Sequence, residues 1–102
     1  MPDLTDTSSQ AALADSAFAL VDFHAPWCGP CKIIAPLIDK AGELVDGLDI
    51  FKVNIDSSPR LASNYRVQGV PTLMLLKRGK VVSVKVGALT FTALVKWIED
   101  NR

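Results

Sequence analysis

The chain has 102 residues, 49% of them hydrophobic, with 11 basic and 11 acidic side chains for a formal net charge of zero. That length suits one domain with a core large enough to need neither disulfide nor metal. No basic run argues for nucleic acid, and no apolar run approaches the ~20 residues that span a bilayer. The first twenty residues are polar and acidic, without the basic and apolar segments of a signal peptide, so a cytoplasmic protein is expected.

Met1 to Thr7 reads as weakly structured, at most a short edge strand. Ser8 or Ser9 is placed to cap a short helix through Ala14. Ala17 to Phe23 is an apolar run that fits a strand buried on both faces. Asp22 interrupts it, and a carboxylate there is costly unless paired, hydrated or protonated. Either Asp22 reaches solvent at the strand end or it serves the chemistry close by.

Trp27-Cys28-Gly29-Pro30-Cys31 follows and holds both cysteines. Beyond it Cys31, Ile34, Leu37, Ile38, Ala41, Leu44 and Val45 recur at helical spacing. The thiols therefore stand where a strand hands over to a helix N-terminus, whose partial positive charge favours a thiolate. Two intervening residues set the sulfurs one turn apart, within reach of a disulfide. Two cysteines so placed in a reducing compartment fit catalysis better than a permanent staple. Pro30 suits the first helical turn, Pro36 removes a backbone bond within the helix, and Asp46-Gly47 marks its end.

Asp49 to Ile55 reads as a second buried strand, with Lys52 as its odd residue. Lys52 either snorkels to solvent or places a cation near Asp22. Ser57-Ser58-Pro59 predicts a hydroxyl-capped short helix ending near Asn64 or Tyr65. Gln68 to Thr72 forms a loop, Thr72 to Lys77 a strand, Arg78-Gly79 a hairpin turn and Val81 to Val86 the returning strand. Gly87 ends that strand. Thr90 caps a final helix that turns Phe91, Leu94, Val95 and Ile98 inward. This order implies a mixed sheet with helices on both faces.

Val21-Asp22-Phe23, Trp27 to Lys32, Ala35-Pro36, Lys52 to Asp56, Gly69-Val70-Pro71-Thr72 and Val86-Gly87-Ala88 together resemble the thioredoxin family, in order and in spacing. The resemblance covers the chain from about Leu20 onward. It implies an α/β thioredoxin fold, one domain over 1–102, and a protein-disulfide reductase cycling between dithiol and disulfide. Cys28 would be the exposed nucleophile and Cys31 the more buried resolving thiol. Asp22 would take the proton from Cys31, through a water, and Lys52 would tune Asp22. Gly29-Pro30 matches the reducing members of the family. Pro71 would be cis. Trp27, Gly69, Val70, Pro71, Gly87 and Ala88 would form a flat substrate face beside Gly29 and Pro30.

The resemblance also implies no cofactor beyond the cysteine pair, with NADPH used indirectly through a thioredoxin reductase. Partners would be that reductase and disulfide-containing substrate proteins, with no nucleic acid or membrane, and a monomer is the default. The chain departs from the family at His24, where tryptophan is common, and in a shorter N-terminus. His24 is expected either to pack at the strand end or to raise the thiolate fraction of Cys28.

Other chemistries fit less well. Zinc usually takes four ligands, and only Cys28, Cys31 and His24 are offered. Haem attachment needs histidine after the second cysteine, where Lys32 stands. A family member run in reverse, as oxidant or isomerase, or a non-enzymatic binding subunit, would use the same surface.

Overall fold

The computed structural model describes Leu4, Thr5 and residues 9–102. Four strands form one sheet: β1 (Ala19–His24), β2 (Asp49–Asn54), β3 (Thr72–Lys77) and β4 (Lys80–Val86), in the order β2-β1-β3-β4. β1 pairs parallel with β2 and antiparallel with β3, and β4 returns antiparallel to β3. The helices are α1 (Ser9–Asp15), α2 (Gly29–Leu44), α3 (Pro59–Asn64) and α4 (Phe91–Asp100).

Alternation along the strands feeds two cores. Leu20, Ile50, Leu73 and Leu75 meet Ile34, Ile38 and Ala41 of α2 and Leu94, Trp97 and Ile98 of α4. Val21, Phe23, Phe51, Val53, Met74 and Leu76 meet Leu13 of α1 and Leu61 of α3 on the other face. β1 is buried on both sides because it sits inside the sheet with a helical layer on each face. Gly42 lets α2 approach β2: a Cβ built there would lie 2.8 Å from Ile50 Cγ1.

Most element boundaries fall within a residue or two of expectation. β3 and the end of α3 coincide with it. The first strand begins two residues later than expected and runs on to His24. α2 stops at Leu44, ahead of Asp46-Gly47, and Gly47 makes the following turn at φ 81°. The hairpin turn uses positive φ at both Arg78 (50°) and Gly79 (85°), the twist that matches a two-residue connection. Thr90 caps α4, its hydroxyl accepting from Ala93 N at 3.2 Å.

Ser58 corrects the reading of α3. It occupies the N-cap position, but its hydroxyl makes no capping bond. The residue is buried with φ −130° and ψ 61°, outside the extended region from which a cap side chain reaches the first turn. Instead Asn54 Oδ1 accepts from the backbone N–H of Asp56 and Ser57 and shapes the approach. The suggested cap at Ser8 lies outside the described residues, as does most of Met1 to Thr7. Leu4 donates its N–H to Lys52 O at 2.8 Å, which ties that residue to the outer edge of β2.

Candidate active site

β1 ends at His24, and Ala25-Pro26-Trp27 turns the chain into α2. Cys28 is the N-cap of that helix, and its Sγ accepts from Cys31 N at 3.2 Å. Cys28 and Cys31 are joined as a disulfide, with Cα atoms 5.3 Å apart. A cap position is where an unpaired helix N–H meets the side chain, so a thiolate formed at Cys28 would gain a donor and the helix dipole. Pro30 stands in the first turn, where it leaves no helical bond unmade.

The expected contrast in exposure is absent. Cys28 and Cys31 are each 4% exposed in the disulfide form. Both pack with Ala25, and Ile55 and Val70 lie against the group. In the disulfide form, then, burial does not set Cys28 apart from Cys31, and what distinguishes Cys28 is its place at the helix N-cap. Ile55 reads in the sequence as the end of the second strand and as part of the Lys52 to Asp56 motif, and Ala25 carries no signal of its own there; the fold brings both to the cysteines.

The second loop converges on the same place. The Val70–Pro71 peptide bond is cis, as the resemblance implies. Thr72 Oγ1 donates to Gly69 O and closes the loop. Gly87, at φ 94°, donates its N–H to Pro71 O at 2.8 Å, so the end of β4 is tied to the proline. Ala88 follows, exposed. Trp27 is 67% exposed, and its indole N–H donates to Asp56 Oδ2 at 3.0 Å. That bond holds a large apolar surface outward beside the cysteines. Asp56 was not anticipated as its partner, because only the fold brings the β2–α3 loop to Trp27.

Behind the disulfide a cleft of about 180 Å³ is lined by Asp22, His24, Ala25, Pro26, Cys31, Lys32, Ala35 and Lys52. Asp22 and Lys52 are register partners on adjacent parallel strands, so both face α2. Asp22 is 1% exposed, and its Oδ1 has no hydrogen-bond partner among the described residues. Burial pushes the Asp22 carboxyl above the usual carboxylate range; His24 and Lys52 pull it down, and Asp39 pushes it further up. Lys52 Nζ makes its ion pair with Asp39 Oδ1, at 3.4 Å. Asp39 is a site neighbour that the sequence reading missed, although it stands eight residues beyond Cys31 on one helical stripe.

A chemically reversible two-electron pair, seated on a helix N-terminus beside a buried acid and a cis-proline loop, is the arrangement of a disulfide exchanger. The family profile described as Thioredoxin matches residues 1–100. This chain belongs to the thioredoxin family. It is 45% identical over 95 residues to the chloroplastic M-type thioredoxin of Chlamydomonas reinhardtii, covering 92% of this chain and 68% of that one. It is 41% identical over 100 residues to thioredoxin 1 of a Nostoc species, covering 96% and 94%. Among solved structures, a mutant thioredoxin from Halobacterium salinarum NRC-1 superposes with a TM-score of 0.90 at 34% identity, covering 98% of this chain and 89% of that one.

The fold is therefore the thioredoxin fold, and the protein is a thiol–disulfide oxidoreductase of thioredoxin type that reduces protein disulfides with its own cysteine pair. Among the described residues, no helix is long and apolar enough to cross a membrane, and no cluster of three or more His, Cys, Asp or Glu could hold a metal ion.

Proposed function

We propose that the protein works as one thioredoxin domain over 1–102, with Cys28 as nucleophile, Cys31 as resolving thiol and Asp22 as proton acceptor. The observation that carries this reading is the place of Cys28 at the N-cap of α2, with its sulfur on the Cys31 N–H. In the reduced protein the Cys28 thiolate attacks one sulfur of a substrate disulfide. A mixed disulfide forms and the other substrate sulfur leaves as a thiolate. Asp22 then takes the Cys31 proton across the cleft that both residues line, which is roomy enough for a bridging water. The Cys31 thiolate attacks Cys28 Sγ, the protein disulfide closes, and the second substrate thiolate departs. Two electrons have passed from the dithiol to the substrate.

Asp22 suits this task because burial raises its proton affinity, and Lys52 tempers that effect. Exposed Trp27, Gly69, Gly29 and Pro30, half-buried Val70 and Gly87, buried Pro71 and exposed Ala88 compose the substrate face. The backbone of Val70 offers an edge on which an extended substrate segment can pair. No resident cofactor is needed. The disulfide is recharged by a thioredoxin reductase that draws on NADPH. Both cysteines are confined to the site, which fits a monomer working in a reducing cytoplasm.

The test is Cys31→Ser. It removes the resolving thiol, so substrate proteins accumulate as mixed disulfides on Cys28 that dithiothreitol releases. Partners bound equally by the parent and by Cys31→Ser, with no disulfide-linked species, would refute the assignment.

A further inference from the structure

The charge arrangement behind the disulfide has a third member. Register puts Asp22 of β1 beside Lys52 of β2 on the face that α2 covers. From α2, Cys31, Ala35 and Asp39 descend at four-residue intervals along that face. Cys31 and Ala35 line the cleft with Asp22 and Lys52, and Asp39 lies one turn beyond. Asp39 has a half-exposed side chain but a buried Oδ1, and that oxygen lies 3.4 Å from Lys52 Nζ. The Lys52 side chain is only 19% exposed. Among the described residues Lys52 makes no ion pair within 4 Å with Asp22 itself. The ammonium thus shares a cleft with Asp22 but makes its ion pair, without a hydrogen bond, with Asp39 one turn beyond.

We propose that Asp39 is a positioning residue of the redox site: by holding the Lys52 ammonium toward α2, it keeps that cation from settling on the Asp22 carboxyl and so preserves Asp22 as a proton acceptor for Cys31. The proposal rests on the role given to Asp22 above. The physics is competition. An opposite charge within a few ångströms stabilises a carboxylate and weakens it as a base. Partial burial limits solvent screening of these charges. With Asp39 neutral, the Lys52 charge has one anionic partner instead of two. The groups that face Asp22 are His24 from β1 itself, Lys52 from β2, and Cys31, Lys32 and Asp39 from α2; its register neighbour on β3 is the apolar Leu73.

The experiment follows the Asp22 carboxyl carbon by NMR across pH, in the disulfide form of the parent, Asp39→Asn, Lys52→Met and the double variant. Asp39→Asn is expected to move the Asp22 midpoint to lower pH. In the Lys52→Met background the same substitution is expected to move it by less than half as much. A midpoint unmoved by Asp39→Asn overturns the proposal. So does equal movement in both backgrounds, which would mean direct repulsion rather than control of Lys52. The role of Asp22 is read separately, from the pH–rate profile of substrate reduction by Asp22→Asn. An unchanged profile would remove Asp22 from the chemistry even if the coupling to Asp39 is present.

Discussion

Asp22 ties the stability of this protein to pH in a direction opposite to that of most carboxylates. It is 1% exposed, and its proton affinity is raised by burial. The folded state therefore holds the Asp22 proton more tightly than the unfolded state does. Below the ordinary aspartate value of 3.8 both states are protonated, and Asp22 adds no pH dependence. As pH rises from there through the raised folded value, the unfolded state releases its proton first, and stability falls. Within that window the loss is about 1.4 kcal/mol for each pH unit at most. For a chain of this size each kcal/mol corresponds to roughly 4–8 °C in Tm. Asp22→Asn keeps the shape and removes the titration. The assay is thermal unfolding of the disulfide form at a series of pH values for both proteins. The difference in Tm, variant minus parent, should be smallest at acid pH, grow through the window and level off above it. Titrating groups that do not interact with Asp22 cancel in the difference; His24, Lys52 and Asp39, which do, enter it only through that interaction. Parallel Tm–pH curves would show that Asp22 is not selectively protonated in the fold and would refute the reasoning.

Three further outcomes follow from packing and from the site. Ile38→Ala removes a fully buried contact between α2 and the sheet and should cost about 2–5 kcal/mol, read as a lower denaturation midpoint with unchanged slope. Gly42→Ala should gain up to about 1 kcal/mol in helix propensity but lose about 1–3 kcal/mol to overpacking against Ile50, giving net destabilisation in urea titration. A net gain would mean that Ile50 yields freely. His24 lines the cleft with Cys31 and Asp22, so His24→Trp should move the alkylation of Cys28 by iodoacetamide to higher pH; superimposable profiles would remove His24 from thiolate control.

Much of this protein is legible along the chain because local rules write it there. Thr72 to Lys77 and the Arg78-Gly79 turn follow from an apolar run and a dipeptide that tolerates positive φ. Cys28 and Cys31 announce themselves through spacing and through the helix that begins between them. Thr90 reads correctly as a cap because its backbone is extended, whereas Ser58 does not cap because its backbone is not. Buried Asp22 is visible as a charge in an apolar run.

What the tertiary structure alone decides is which residues meet across sequence. Parallel pairing of β1 with β2 sets Asp22 beside Lys52, thirty positions apart, and no periodicity encodes a register between distant strands. Docking of α2 then gives Lys52 to Asp39, a residue that reads on its own as an ordinary helix-surface acid. Asp56 reaches Trp27, and Gly87 reaches Pro71, through loops whose course depends on the whole sheet. The chemistry of the cysteine pair is written in a pentapeptide. The proton affinity of the acid behind it depends on burial and on charges brought from three separate elements, so only the folded chain defines it.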